Sequence, residues 1–161
     1  MVRDKESGDL KPFDFHHLLE QIPELNQFDC EIDTFSLIQP VDSSNIKPDH
    51  WLRLARRIAE GYEQYDGFVI LHGSDTMAYS ASALSFLLEN LAKPVIFTGS
   101  QLPIGITRSD AKENLMAAIE IALARRADNL AMIPEVAIYF ENLLLRGNRT
   151  HKISTEDFMA F

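Results

Sequence analysis

The spacing of apolar positions changes period several times along the chain. Residues 1–11 are polar and charged and read as a loop. Phe13, Phe15, Leu18, Leu19 and Ile22 then predict a short helix, ended by Pro23, whose ring cannot continue one. A strand is expected over residues 31–38. Over residues 47–64, Pro48 falls in a first turn, where its missing N–H costs nothing, and Trp51, Leu54, Ala55 and Ile58 share one face of an amphipathic helix. The unbroken run Phe68-Val69-Ile70-Leu71 between Asp66-Gly67 and His72-Gly73 has the pattern of a strand covered on both faces.

Helical spacing returns with Met77, Ala81, Leu84 and Leu88 over residues 76–91, and residues 94–99 give a second buried strand. Leu115, Ile119 and Ala122 mark a further helix over residues 109–126, followed by a strand at 136–140 that opens a strand pair. Strands alternating with helices predict an α/β fold: a parallel sheet, helices on both faces and right-handed crossovers. Ligands of such sheets bind beyond the carboxyl ends of the strands, often at helix N-termini. The loops at residues 40–47, 72–76 and 99–108 are therefore the candidates.

Among these, His72-Gly73-Ser74-Asp75-Thr76 is the most concentrated. Ser74, Asp75 and Thr76 are all capping residues, but one cap needs only one of them, and a ligand role fits the surplus. The Asp75 charge would compete with a phosphate for the positive pole of the helix. A ligand there is expected to bring an ammonium group, as an amino acid does. Asp42-Ser43-Ser44-Asn45 reads either as a polar turn or as a donor cluster at a strand end. Lys152, in the basic stretch 146–152, is a second candidate, although its local sequence by itself favours a solvated loop. His16, His17, His50, His72 and His151 show no metal-ligand spacing with Cys or one another, so no metal site is expected.

Composition narrows the functional classes. With 161 residues the chain fits one domain, and 46% hydrophobic with 24% charged residues exclude a membrane protein and a wholly disordered one. The net charge of −9 repels phosphate backbones and anionic lipid surfaces, so neither nucleic acid nor membrane is expected as a partner. Cys30 is the only cysteine, which fits a reducing compartment, and no stretch reads as a signal peptide or a membrane span. A cytoplasmic location is expected.

HGSDTMAYSASALSFLLENLAKPVIFTGSQLP, from His72 to Pro103, and LLLRGNRTHK, from Leu143 to Lys152, together resemble the cytoplasmic, type I branch of the bacterial L-asparaginases, and the similarity extends over nearly the whole chain. The resemblance implies a flavodoxin-like, three-layer domain. It also implies hydrolysis of L-asparagine to L-aspartate and ammonia without a cofactor, and assembly as dimers or tetramers. The family's second catalytic group, a Thr-Asp-Lys set, falls on Ser74, Asp75 and Lys152. Ser43 and Ser44 match positions that hold the α-carboxylate or amino group, Asp75 also receives the amino group, and Ser100 lies at the turn facing the amide.

Two departures stand out. Ser74 replaces the usual threonine, keeping the hydroxyl but losing a methyl group and part of its χ1 restriction. The TGGTIG-like turn that carries the family's first nucleophile occurs nowhere in these residues, and residues 1–13 contain no tyrosine to serve as a flap. The chain is accordingly expected to be the N-terminal domain, residues 1–161, lacking the first strand and the C-terminal domain. On its own it is expected to be inactive and prone to self-association. Two other readings are a non-catalytic amino-acid-binding module and an asparaginase-like subunit of a tRNA-dependent amidotransferase.

Overall fold

The computed structural model describes residues 2–3, 10–11, 22–36, 41–102, 108–155, 157 and 159–161. Three amphipathic segments are helical: α1 (Pro48–Gly61), α2 (Met77–Leu87) and α3 (Ala111–Leu123). Pro48 opens α1, as its fixed φ favours, and the Lys47 N–H donates to His50 Nδ1 at 3.0 Å. α2 stops short of residue 91 because the chain turns at Asn90, whose φ is 55°.

A two-residue ladder pairs β1 (Val2–Arg3) with β2 (Leu10–Lys11), where the sequence predicts only a loop. The main sheet has four strands in the order β3 (Phe68–Leu71), β4 (Val95–Thr98), β5 (Val136–Phe140) and β6 (Leu143–Arg146). β3, β4 and β5 are parallel, with Phe68 opposite Val95 and Val95 opposite Val136. β6 runs antiparallel to β5, so the sheet is mixed rather than parallel throughout. Glu141 and Asn142 join the two strands with φ of 44° and 64°, the left-handed pair that a tight two-residue hairpin requires.

Alternate residues of each strand serve opposite faces. Phe68, Ile70, Val95, Phe97, Val136, Ile138 and Phe140 pack with Ile58, Met77, Ala81 and Leu84 of α1 and α2. On the other face, Val69, Ile96, Ala137 and Tyr139 meet Ala118, Ala122 and their neighbours of α3, which in turn covers Ile22 and Leu25. The three-layer expectation therefore holds. Met77, Leu84, Phe97 and Phe140 are almost wholly buried, each contributing about 1.5–3 kcal/mol by its removal from water.

The crossovers depart from the expected hand. β3, β4 and β5 advance across the sheet in one direction, yet α2 lies on one face and α3 on the other. Two crossovers on opposite faces cannot share a hand, so one of them is left-handed, against the usual preference.

Pro23 starts a short 3-10 helix, Pro23–Gln27, in the role proline takes at a first turn. The helix expected before it falls outside the described residues apart from Ile22. Residues 31–36, expected in a strand, are irregular, and residues 37 and 38 lie outside the described set. Side chains hold this segment instead of a backbone ladder: Ile32 packs on the α3 side, Asp33 accepts from Tyr65 Oη at 2.9 Å, and Phe35 lies under the Arg57 guanidinium.

Candidate active site

β3 ends at Leu71, and the chain turns through Gly73 into α2. A β-carbon at Gly73 would stand 2.5 Å from Ser43 Oγ, so glycine lets the loop carrying Ser43 pack directly on this turn. Thr76 Oγ1 donates to the Ser43 carbonyl at 2.6 Å, locking the same two segments together. Thr76 is the N-cap of α2 but makes no capping hydrogen bond. The Ser74 and Asp75 side chains are also engaged elsewhere, and the capping alternative therefore does not account for this cluster.

Their partner is Lys152. Its Nζ lies 2.9 Å from Ser74 Oγ and 2.8 Å from Asp75 Oδ1, joining residues 77 and 78 positions apart. Gly147 explains how the chain arrives. A β-carbon there would come within 3.0 Å of Val136 O and 3.1 Å of Ala81 O, so the backbone passes closely between the start of β5 and α2. Residues 150–155 then run back beside Ala78, Tyr79 and Ser82 of α2, lining an open groove of about 850 Å³ that includes Asp75 and Lys152. An amino acid fits within it.

Lys152 is mostly buried, whereas the Asp75 side chain is 60% exposed. Solvent screening at Asp75 leaves this ion pair little to add to stability. Its consequence is positional: a carboxylate orients an amine, and the amine contacts a hydroxyl. That order of groups is the arrangement of a nucleophile or proton relay with its base and orienting acid.

The turn after β4 completes the cluster. Gln101 Oε1 accepts from Ser74 Oγ at 3.0 Å. The backbone of this turn is clamped by buried Asp110, whose two oxygens accept from the N–H groups of Gln101 and Leu102 at 2.9 and 3.1 Å. Asn114 adds a bond to Gly99 O at 3.0 Å. Ser100 lies half-buried between Gly99 and Gln101. The sequence points to this turn through Ser100, whereas Gln101, Asp110 and Asn114 carry no signal there, because polar side chains at a turn and helix start have ordinary local uses. Ser43 is buried under Gly73, and the Ser44 hydroxyl donates to Asp42 Oδ1 at 2.7 Å, which holds the Asp42 carboxyl below its usual range.

His72 reaches the same turn from beneath. Trp51 Nε1 donates to Ser80 Oγ at 2.9 Å, and Ser80 Oγ lies 2.9 Å from His72 Nε2. An indole N–H can only donate, which frees the Ser80 proton for His72 Nε2 and leaves the ring proton on Nδ1, 2.7 Å from the Gly73 carbonyl. Burial pushes the His72 pKa down despite that carbonyl, so the ring is held neutral. Among the described residues, no group of three or more His, Cys, Asp or Glu side chains is placed to hold a metal ion.

The sequence model of the family described as Asparaginase, N-terminal matches residues 1–161. The chain belongs to the asparaginase family. It is 47% identical to L-asparaginase 1 of Escherichia coli strain K12 over 149 residues, covering 90% of this chain and 42% of the relative. The crystal structure of L-asparaginase I from Vibrio cholerae superimposes with a TM-score of 0.80 at 42% identity, over 96% of this chain and 45% of the other. A glutamyl-tRNA(Gln) amidotransferase subunit of Pyrococcus abyssi is also similar, at 33% identity over 160 residues, covering 98% of this chain and 36% of that relative. The chain thus spans less than half the length of these relatives. As an asparaginase-family domain, it brings together the three segments that its motifs single out: Ser43 beneath the Ser74–Asp75 turn, Lys152 beside it and Gln101 opposite.

Proposed function

We propose that this chain is the N-terminal, catalytic part of an L-asparaginase, which hydrolyses the side-chain amide of L-asparagine to L-aspartate and ammonia. The observation that carries this reading is Lys152 Nζ, within hydrogen-bond distance of both Ser74 Oγ and Asp75 Oδ1 at the carboxyl end of a parallel strand. A hydroxyl oxygen adds to the amide carbon as it gives up its proton, the C–N bond breaks, and the nitrogen leaves as ammonia after gaining a proton; water then adds to the ester carbon, the ester C–O bond breaks, and the enzyme oxygen takes back a proton. Such a reaction needs a group that moves protons at a defined point, and Ser74 and Lys152, oriented by Asp75, supply one.

In this reading Asp75 also receives the substrate ammonium group, Ser43 and Ser44 hold its α-carboxylate or amino end, and Ser100 faces the amide. No cofactor or metal takes part. The nucleophile that forms the acyl-enzyme is the threonine of a TGGTIG-like turn, a motif absent from these 161 residues. The functional unit is therefore larger than this chain and self-associates as dimers or tetramers. The lone Cys30 supports a cytoplasmic location.

Calorimetry with L-aspartate and L-asparagine tests the binding half. Both are expected to bind, and Asp75→Asn is expected to weaken aspartate at least about tenfold by removing a charge-assisted hydrogen bond. Undetectable binding of both ligands would sink the site assignment. The purified chain is expected to release no ammonia from asparagine, and measurable release would refute the need for a nucleophile outside it. The higher identity to L-asparaginase 1 ranks asparagine above the glutamine chemistry of the amidotransferase reading.

A further inference from the structure

Ser74 has no β-methyl group, so its own backbone does little to choose among the three staggered χ1 wells. The hydroxyl nevertheless occupies one defined place, between Lys152 Nζ and Gln101 Oε1. We infer that Gln101 is the positioning residue of this site: it fixes the rotamer and the proton direction of Ser74. This rests on the reading of Ser74 as a group that acts on substrate.

Gln101 Nε2 lies 2.7 Å from the Asp157 carbonyl, which can only accept, so the amide nitrogen must face it and Oε1 must face Ser74. An amide oxygen cannot donate. The single Ser74 proton is therefore drawn toward Gln101, and a Ser74 lone pair accepts from Lys152 Nζ. A hydroxyl with its proton committed in this way presents its oxygen, rather than its hydrogen, to an incoming ligand.

Gln101 can act so because both of its ends are anchored. Its backbone N–H is held by Asp110 Oδ2 at 2.9 Å, and Asn114 Nδ2 reaches both Asp110 Oδ2 at 3.1 Å and Gly99 O at 3.0 Å. On the far side, Asp157 is fixed by a turn in which Ser154 Oγ donates to Asp157 Oδ2 at 2.9 Å and accepts from its N–H at 3.1 Å. The Ile153 N–H bonds to the carbonyl of buried Ala160 at 2.7 Å, and Phe161 packs edge-on against Phe140. A relay of one polarity thus runs from the end of the chain to the site, Asp157 carbonyl to Gln101 amide to Ser74 hydroxyl.

The experiment measures Hα–Hβ couplings of Ser74 by nuclear magnetic resonance on the labelled chain. In the unaltered protein one rotamer is expected to dominate; an averaged coupling there overturns the inference without any variant. In Gln101→Leu the population is expected to spread toward about a third in each well. A folded Gln101→Leu chain that keeps one rotamer also overturns it. If that variant does not fold, Gln101→Met, unbranched and of similar length, takes its place under the same expectation. Adding Ser74→Thr to the variant is expected to restore a single rotamer through the β-methyl, a rescue that a merely structural role for Gln101 would not give, and continued averaging counts against the inference. Aspartate calorimetry separates the two readings. Failure of the unaltered chain to bind aspartate sinks the proposed function and leaves the rotamer result intact. If aspartate binds, Gln101→Leu is expected to weaken it several-fold, and unchanged affinity beside an averaged Ser74 denies Gln101 its positioning role.

Discussion

The His72 imidazole links two helices to the turn that carries Ser74. Trp51 on α1 and Ser80 on α2 satisfy one side of the ring and Gly73 the other. Burial lowers the His72 pKa below the ordinary value of 6.5. Below pH 6.5 the unfolded chain takes up a proton that the folded chain refuses, so stability is full above that pH and falls as pH drops toward the lowered folded pKa. Urea titrations between about pH 7.5 and 5.5 are expected to show this loss, and His72→Gln, which retains a donor and an acceptor, is expected to flatten it. An unchanged slope in that variant would assign the loss to other groups. The neutral ring itself was not legible in the sequence, because its burial comes from residues brought in by two different helices.

Secondary-structure elements were legible wherever periodicity was strong and poorly so where pairing decided the outcome. The runs Phe68–Leu71 and Val95–Thr98 form strands with the expected bounds to within a residue, since unbroken apolar runs need cover on both faces. The direction of β6 depends instead on Glu141 and Asn142 both entering the left-handed region. Glutamate is a poor residue for that position, and its carboxyl pKa is raised by partial burial and by the nearby Asp110 and Glu113 charges. A raised folded pKa means stability present at low pH is lost as pH rises through it. Glu141→Asn is therefore expected to stabilise the chain at neutral pH by roughly 0.5–1 kcal/mol, through better turn geometry and relief of charge repulsion, measured as a higher urea midpoint with unchanged slope. The Glu141 N–H bond to Asn114 Oδ1, 3.2 Å long, survives this change because it comes from the backbone.

At the scale of the molecule, one edge of the sheet ends on β3, which pairs only with β4 among the described residues. On α2, Tyr79 and Phe86, two turns apart on one face, are 69% and 73% exposed. An edge strand with one partner among the described residues, together with exposed aromatic surface on α2, favours association, while a net charge of −9 opposes it only at long range and weakly in salt. Light scattering at physiological salt is expected to show dimers or larger species. A monodisperse monomer at tens of micromolar would count against this reading.

Local chemistry is what the sequence determined. Apolar period and turn residues assign each segment to strand or helix through short-range sterics, and a glycine followed by three polar residues at a strand-to-helix turn marks the candidate site. Tertiary structure decided everything that depends on two distant segments meeting. It set the left-handed member of the crossover pair, because helix placement is chosen by which sheet face needs cover. It also brought Lys152 to Ser74 and Asp75, because Gly147 lets the chain pass close to α2 and return along it. Gln101 became the acceptor for Ser74 only once the Asp157 carbonyl fixed its amide. A side chain's local sequence specifies its donors and acceptors, and the fold specifies which partners are within reach.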